Sequence, residues 1–274
     1  MDPKISVIIP CYNMGSYVSD AIKSVLSYPK QADVEIIIIN DGSNDNGYTK
    51  DVLDSYKHEK LRVIHQDNKG LSNARNTGIL IAKGDYIIPL DADNKIYHEY
   101  ITQGICILNS NPNIAVVYGD NRQFGLKNRD VIVGDFDISK LLIKNYIDAC
   151  VVLRKSAWES VNGYDENMRM GYEDWDLNLR LFFKGWQFKY VNQVLYDYRV
   201  RENSMLVNSN KNRALILDYI FSKPEFQQIR ILRNKILAHL ECEEELNSLK
   251  NRKLIRAALK IEEPLKVVAK MFKK

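Results

Sequence analysis

Apolar, β-branched runs alternate with segments of helical spacing through the first half of the chain. Residues 5–9, 34–39, 61–64, 86–90 and 115–118 read as strands, apolar along nearly their whole length rather than at every second position. Between them, 17–27, 48–57, 71–82 and 97–108 carry the 3.6-residue apolar period of helices. Strands apolar on both faces belong in a parallel sheet covered by helices, and such sheets take their ligands at the carboxyl ends of the strands. The pattern therefore predicts an α/β fold with a mixed, mostly parallel sheet flanked by helices.

After residue 120 the order changes. Residues 121–150 read as mixed and loop-like, 149–153 as a strand, 175–184 as a helix, and 187–191 and 195–199 as two short strands. From Lys211 onward the chain reads as helical, broken at Pro224 and Pro264. The expected organisation is an α/β domain over 1–205 and a helical, basic C-terminal extension over 206–274.

Composition narrows the class. With 274 residues, 45% hydrophobic and 27% charged, the chain is neither disordered nor fibrous and can bury a large core. No apolar stretch approaches the roughly 20 residues of a membrane span, and Met1-Asp2-Pro3-Lys4 leads into a strand without a signal-peptide core. A cytoplasmic site of action is expected. Cys11, Cys106, Cys150 and Cys242 lie far apart, which points to reduced thiols and to neither a zinc cluster nor a disulfide framework.

Charge is unevenly placed. From Lys250 onward, nine basic residues face only Glu262 and Glu263, so this tail carries +7 of a whole-chain +4 and the remainder is net −3. Leu254, Ile255, Ala258, Leu259, Leu265, Val268 and Phe272 recur there at helical spacing. Such a basic amphipathic segment can hold a protein at the anionic inner face of a membrane, or pack on the protein or a second copy in a homo-oligomer.

The candidate chemistry sits where strands end. Asp91-Ala92-Asp93 follows the run 86–90, and in an extended segment residues i and i+2 face the same way, so both carboxylates can meet one hard cation such as Mg²⁺ or Mn²⁺. For an isolated Asp-x-Asp, a solvated turn is the commoner explanation. The first strand ends in Pro10-Cys11-Tyr12-Asn13, with no Gly-x-Gly-x-x-Gly loop, and Tyr12 is either a base-stacking group or a loop tyrosine. The second ends in Asn40-Asp41-Gly42-Ser43, where Asp41 either accepts from a nucleoside or shapes a turn. Arg75, near the start of a helix, either meets a phosphate or holds an acidic loop. Glu173, Asp174 and Asp176 crowd one helical turn; the helix dipole accounts for part of this, and like charges that repel are more often tolerated where a base is needed.

Ile8-Ile9-Pro10-Cys11-Tyr12-Asn13, Asn40-Asp41-Gly42-Ser43, Ala74-Arg75-Asn76-Thr77-Gly78, Gly84-Asp85-Tyr86-Ile87, Leu90-Asp91-Ala92-Asp93 and Gly163-Tyr164-Asp165-Glu166 with Glu173-Asp174-Trp175-Asp176-Leu177 together resemble the family 2 glycosyltransferases of GT-A fold. The resemblance spans about residues 4 to 200. It implies an inverting, metal-dependent transferase that moves a sugar from a nucleoside diphosphate, usually UDP, to an acceptor hydroxyl in surface polysaccharide or glycoconjugate synthesis. It further implies that Pro10, Tyr12 and Asp41 line the nucleoside pocket with Arg75 nearby, and that Asp91 faces the ribose and sugar. Asp93 would be the principal ligand of Mn²⁺ or Mg²⁺, with Asp91 beside it, and Asp174 the catalytic base next to Glu173. Many relatives carry a histidine in a Tyr-Arg-x-His pattern where this chain reads Tyr198-Arg199-Val200-Arg201, so the third metal ligand is in question and Arg201 is placed to meet the diphosphate instead. The expected partners are a nucleotide-sugar donor and a saccharide, lipid-linked or protein acceptor, with no nucleic acid. A non-catalytic nucleotide-sugar-binding protein remains an alternative. So does a sugar nucleotidyltransferase, although that class carries a Gly-rich basic loop where this chain has Cys11-Tyr12-Asn13-Met14.

Overall fold

A computed structural model of the chain describes residues 4–30, 33–202 and 204–251. The first half alternates as the apolar pattern predicts: β1 (Ile5–Cys11), α1 (Val18–Leu26), β2 (Val34–Asp41), α2 (Tyr48–Asp54), β3 (Leu61–Gln66), α3 (Leu71–Leu80), β4 (Tyr86–Pro89), the two-residue β5 (Lys95–Ile96) and α4 (His98–Ser110). The second half holds β6 (Ile114–Gly125), β7 (Arg129–Val131), the single turn α5 (Ile138–Leu141), β8 (Val152–Arg154), α6 (Lys155–Ser160), α7 (Glu173–Phe183) and β9 (Gln187–Val200). Helices α8 (Met205–Lys211), α9 (Arg213–Ser222) and α10 (Gln227–Asn251) follow.

Among the described residues these strands form one sheet in the order β3-β2-β1-β4-β8-β6-β9-β5, with β7 on β6. The pairs β1–β2, β1–β4, β2–β3 and β6–β9 are parallel, while β8 runs antiparallel to both β4 and β6. Every residue of β1 and β2 is buried, because both faces of these strands are covered. Successive side chains leave a strand on opposite faces. Ile5, Val7 and Ile9 accordingly pack with Ala21, Ile22 and Val25 of α1 and Tyr100 and Ile101 of α4, whereas Ile8 packs with Ala74 and Ile79 of α3 and Leu177 and Leu181 of α7. Each of the isoleucines, leucines and valines among them contributes about 1.5–3 kcal/mol on burial. Helix α3 lies especially close: a Cβ on Gly78 would fall 2.4 Å from Cγ2 of Ile8, so only glycine lets this helix, and Arg75 upon it, sit so near the sheet.

Three local expectations are corrected. Residues 187–200 form one strand rather than two, since parallel pairing with β6 carries the backbone through the polar Asn192-Gln193 with register shifts at Gly119, Asp120 and Asn121. The first residues of the stretch expected to be loop, 121–125, are the polar end of β6, stabilised by β7 and β9. Asp91-Ala92-Asp93 lies in a turn closed by the Asn94 N–H donating to the Asp91 carbonyl at 3.0 Å, not in an extended segment.

The first compact unit ends at Ile220 and the second begins at Phe221, so α8 and most of α9 belong with the sheet, beyond residue 205. In the second unit Pro224 opens a single 3₁₀ turn before α10, and Phe221 and Phe226 pack with ring centroids 5.9 Å apart. The basic amphipathic segment and Pro264 fall, from Arg252 on, outside the described residues. No described helix is long and apolar enough to cross a membrane. All four cysteines are free thiols.

Candidate active site

A cleft of about 1110 Å³ opens where β1, β2 and β4 end, and among its lining are the nucleotide-sugar, metal and base candidates of the sequence: Pro10, Tyr12, Asp41, Arg75, Asp91, Asp93, Glu173, Asp174 and Arg201. They come from six separate segments. The parallel sheet brings the first of these together, because its strands all end on one edge; the rest are carried there by α7 and β9.

On the side formed by the strand tips, each carboxylate has strong donors. Asp41, 4% exposed, accepts from the Lys69 and Gly70 N–H groups at 2.9 Å and from Nε2 of Gln66 at 2.8 Å, which ties the end of β2 to the loop entering α3. Tyr12 is 42% exposed over this edge, and its hydroxyl donates to Asn44 at 3.3 Å. Asp91 accepts from Nη2 of Arg75 at 2.8 Å. Asp93 accepts from Nε of Arg201 at 2.7 Å, and Arg199, two residues earlier on the same strand face, donates to the Asp93 carbonyl at 3.1 Å. Both guanidinium groups lie over the Tyr17 ring. Burial and the charge of Asp91 push the Asp93 carboxyl above its ordinary value, with Arg201 opposing them.

The other side is built on the start of α7. Gly171 and Tyr172 both have positive φ, +95° and 62°, and a bulky residue held there costs on the order of 1–3 kcal/mol. The Tyr172 hydroxyl is anchored on Asn210 at 2.5 Å and its ring stands edge-on to Trp175 at 5.3 Å, contacts that hold the strained turn. This turn delivers Glu173 and Asp174 to the cleft. Glu173 is 4% exposed and ion-paired to Nη1 of Arg75, so this one buried guanidinium bridges Glu173 and Asp91. Among the described residues Asp174 meets no guanidinium: both its oxygens accept from Nδ2 of Asn145 at 3.0 Å, and one also from the Trp175 N–H at 2.8 Å. Burial foremost, then the charges of Glu173 and Asp148, push the Asp174 carboxyl up to about 8, against the pull of Asn145 and Arg75. Asp176, the third acid of the cluster, is fully buried and paired with Arg180 at 2.8 Å, an i,i+4 bridge.

Sequence reasoning missed Asn145 and Asp148, which line the same cleft. Burial and the nearby Asp91 raise the Asp148 carboxyl to about 6, and its Oδ1 accepts from the Cys150 N–H at 3.0 Å. No local signal marks either residue. They sit in an irregular segment and reach Asp174 only through the fold.

The sequence model described as glycosyl transferase family 2 matches residues 6–158, more than half of the chain. The chain belongs to glycosyltransferase family 2. A second model, described as the N-terminal domain of galactosyltransferase, matches residues 137–203, the part of this family 2 chain that carries Asn145, Asp148, Asp174 and Arg201. Chondroitin synthase of Pasteurella multocida is 26% identical over 275 residues, covering 93% of this chain and 28% of that protein. The chain thus spans just over a quarter of that relative's length. Among solved structures, Staphylococcus aureus TarS residues 1–349 in complex with UDP-GlcNAc superposes with a TM-score of 0.62 at 16% identity, covering 74% of this chain and 60% of that one. The mannosyltransferase PcManGT of Pyrobaculum calidifontis, in complex with GDP-Man and Mn²⁺, does so with a TM-score of 0.63 at 16% identity over 97% and 81%. These likenesses establish a fold of the GT-A type for this glycosyltransferase family 2 chain.

Proposed function

We propose that this chain is an inverting glycosyltransferase that moves a sugar from a UDP-sugar to an acceptor hydroxyl, in the assembly of a surface polysaccharide or glycoconjugate. The observation that carries the reading is the division of acids within one cleft: Asp91 and Asp93 are held by arginines, while Asp174 is held only by neutral donors and has its carboxyl raised. The UDP-GlcNAc complex of TarS and the kinship with chondroitin synthase support the donor class and the kind of product.

Tyr12 and Asp41, at the tips of β1 and β2, receive the nucleoside, and Asp91 the ribose and sugar. A hard cation fits the turn after β4, whose oxygen donors Asp93 and Asp91 include a carboxyl destabilised by burial and by its like-charged neighbour. Among the described residues no third His, Cys, Asp or Glu completes a protein-only cage, so the remaining positions would fall to water and the diphosphate. Bound there, Mn²⁺ or Mg²⁺ supplies Lewis-acid stabilisation of the charge that builds on the β-phosphate. Arg201, at 2.7 Å from Asp93, adds a fixed positive charge to the same place. On the other side of Arg75, Asp174 accepts the proton of the acceptor hydroxyl as its oxygen forms a bond to the anomeric carbon. The bond from that carbon to the β-phosphate oxygen breaks and the electron pair leaves with the nucleoside diphosphate. A single displacement inverts the anomeric centre. Glu173 is an unsuitable base because Arg75 already holds it as an ion pair.

The test is a panel of UDP- and GDP-sugars offered with Mn²⁺ to the full chain, with nucleoside diphosphate release and product anomer followed by NMR. Turnover of a UDP-sugar with inverted configuration is expected; a panel left wholly unconsumed sinks the reading.

A further inference from the structure

Asn145 and Asp148 lie on one loop between α5 and β8, and both line the cleft beside Asp174. The amide of Asn145 reaches both oxygens of Asp174 through a single Nδ2, an arrangement that favours the ionised carboxylate and fixes its plane. Its Oδ1 is buried without a partner. An orphaned acceptor costs on the order of 1–3 kcal/mol, so this side chain is poorly explained as packing and better explained by what its other end does. Asp148 is a second acid on the same loop, with one oxygen turned to the Cys150 N–H rather than to any cation.

We propose that this loop sets the protonation of the acceptor-activating carboxylate, with Asn145 and Asp148 acting as positioning residues of opposite sign: Asn145 holds Asp174 ionised and aimed, and Asp148 opposes its charge. The inference rests on Asp174 as the base. The groups facing Asp174 are Glu173 and Tyr172 beside it, Asp148 on the loop, Arg75 from α3, Tyr164 before α7 and Tyr198 from β9, with Arg213 from α9 acting on Tyr172. Of these, Arg75 is already committed to Asp91 and Glu173, and Arg213 donates to the Ile143 carbonyl and lies over the Trp175 ring. The loop is therefore where the balance is adjusted. A base kept near the working pH combines an adequate ionised fraction with the strength to take a proton.

The two roles make opposite predictions for variants of one loop, which general damage to the fold cannot imitate. In the full chain, kcat/KM should rise with pH as Asp174 ionises. Asn145→Leu removes the donor at similar size and should move that rise to higher pH by about one unit, a tenfold loss at neutral pH that is recovered in alkali. Asp148→Asn removes the opposing charge and should move it to lower pH. Difference infrared titration of the carboxyl absent from Asp174→Asn reads the same shifts without turnover, and it keeps the test alive if no acceptor is found or Asn145→Ser must replace a poorly folding Asn145→Leu. Shifts of the same sign, or none, overturn the proposal. Wild-type turnover by Asp174→Asn would instead remove Asp174 as the base, and a donor panel left unconsumed would remove the transferase reading while the infrared shifts still decide the role of the loop.

Discussion

The carboxylates on the two sides of the cleft are chemically identical and differently furnished. Asp91 and Asp93 each touch a guanidinium, and Asp41 is wrapped by two backbone N–H groups and an amide. Asp174 and Asp148 accept from neutral donors and face like charges, Glu173 and Asp148 in the first case and Asp91 in the second. The first set is suited to organising a polyanionic donor, the second to exchanging a proton. What separates them is the partner and not the residue type, which is why a motif rich in acids does not disclose which acid performs which task.

The sharpest way to break this comparison is at Asp174. Asp174→Asn should lower turnover on the order of 10²–10⁴-fold while nucleoside diphosphate binding, measured by calorimetry, is retained. If Glu173→Gln instead abolishes transfer and Asp174→Asn is silent, the two sides are divided one residue away from where we place the line. Next is the bridge. Arg75→Met leaves Glu173 and Asp91 without their cation in a buried setting, and denaturant unfolding should reveal a loss of about 3–5 kcal/mol. A loss below 1 kcal/mol would mean that water replaces the guanidinium.

On the donor side, Asp93→Asn should weaken Mn²⁺ binding in the presence of UDP by about tenfold or more without changing the pH rise attributed to Asp174. A shift in that rise would show the two sides to be coupled. The smallest effect concerns stability. Asp148 has its carboxyl raised from 3.8 to about 6 in the fold, so the stability associated with its proton is present below pH 3.8 and lost as pH climbs through 6. Asp148→Asn should therefore stabilise the protein by about 1–3 kcal/mol at pH 8 and hardly at pH 4. Equal melting shifts at both pH values would contradict the raised carboxyl.

The same contrast separates what the sequence disclosed from what it did not. β1 and β2 were legible because complete burial demands unbroken apolar runs, and Asp41, Asp91 and Asp93 because they follow such runs directly. The polar end of β6 was not, since its residues 119–125 are ordered by pairing with β7 and β9, an influence from outside the segment. Asp174 stood out as one of three acids in a turn, yet its distinction from Asp176 lies in Arg180 taking one and Asn145 the other. Asn145 is 29 residues from the carboxylate it holds, in a stretch with no period to read. Arg75 was visible as a charge near two acidic motifs; that it joins both required the fold.

That double attachment has a mechanical consequence. Arg75 is a rigid planar fork on a helix clamped to the sheet at Gly78, and its two ends fix the turn after β4 and the start of α7 at a set spacing. A hinge that swung these walls apart would have to rupture a buried ion pair on every cycle. In the proposed reaction, substrates would then enter and leave along the open mouth, and the spacing between the two walls is a gauge cut before either substrate arrives.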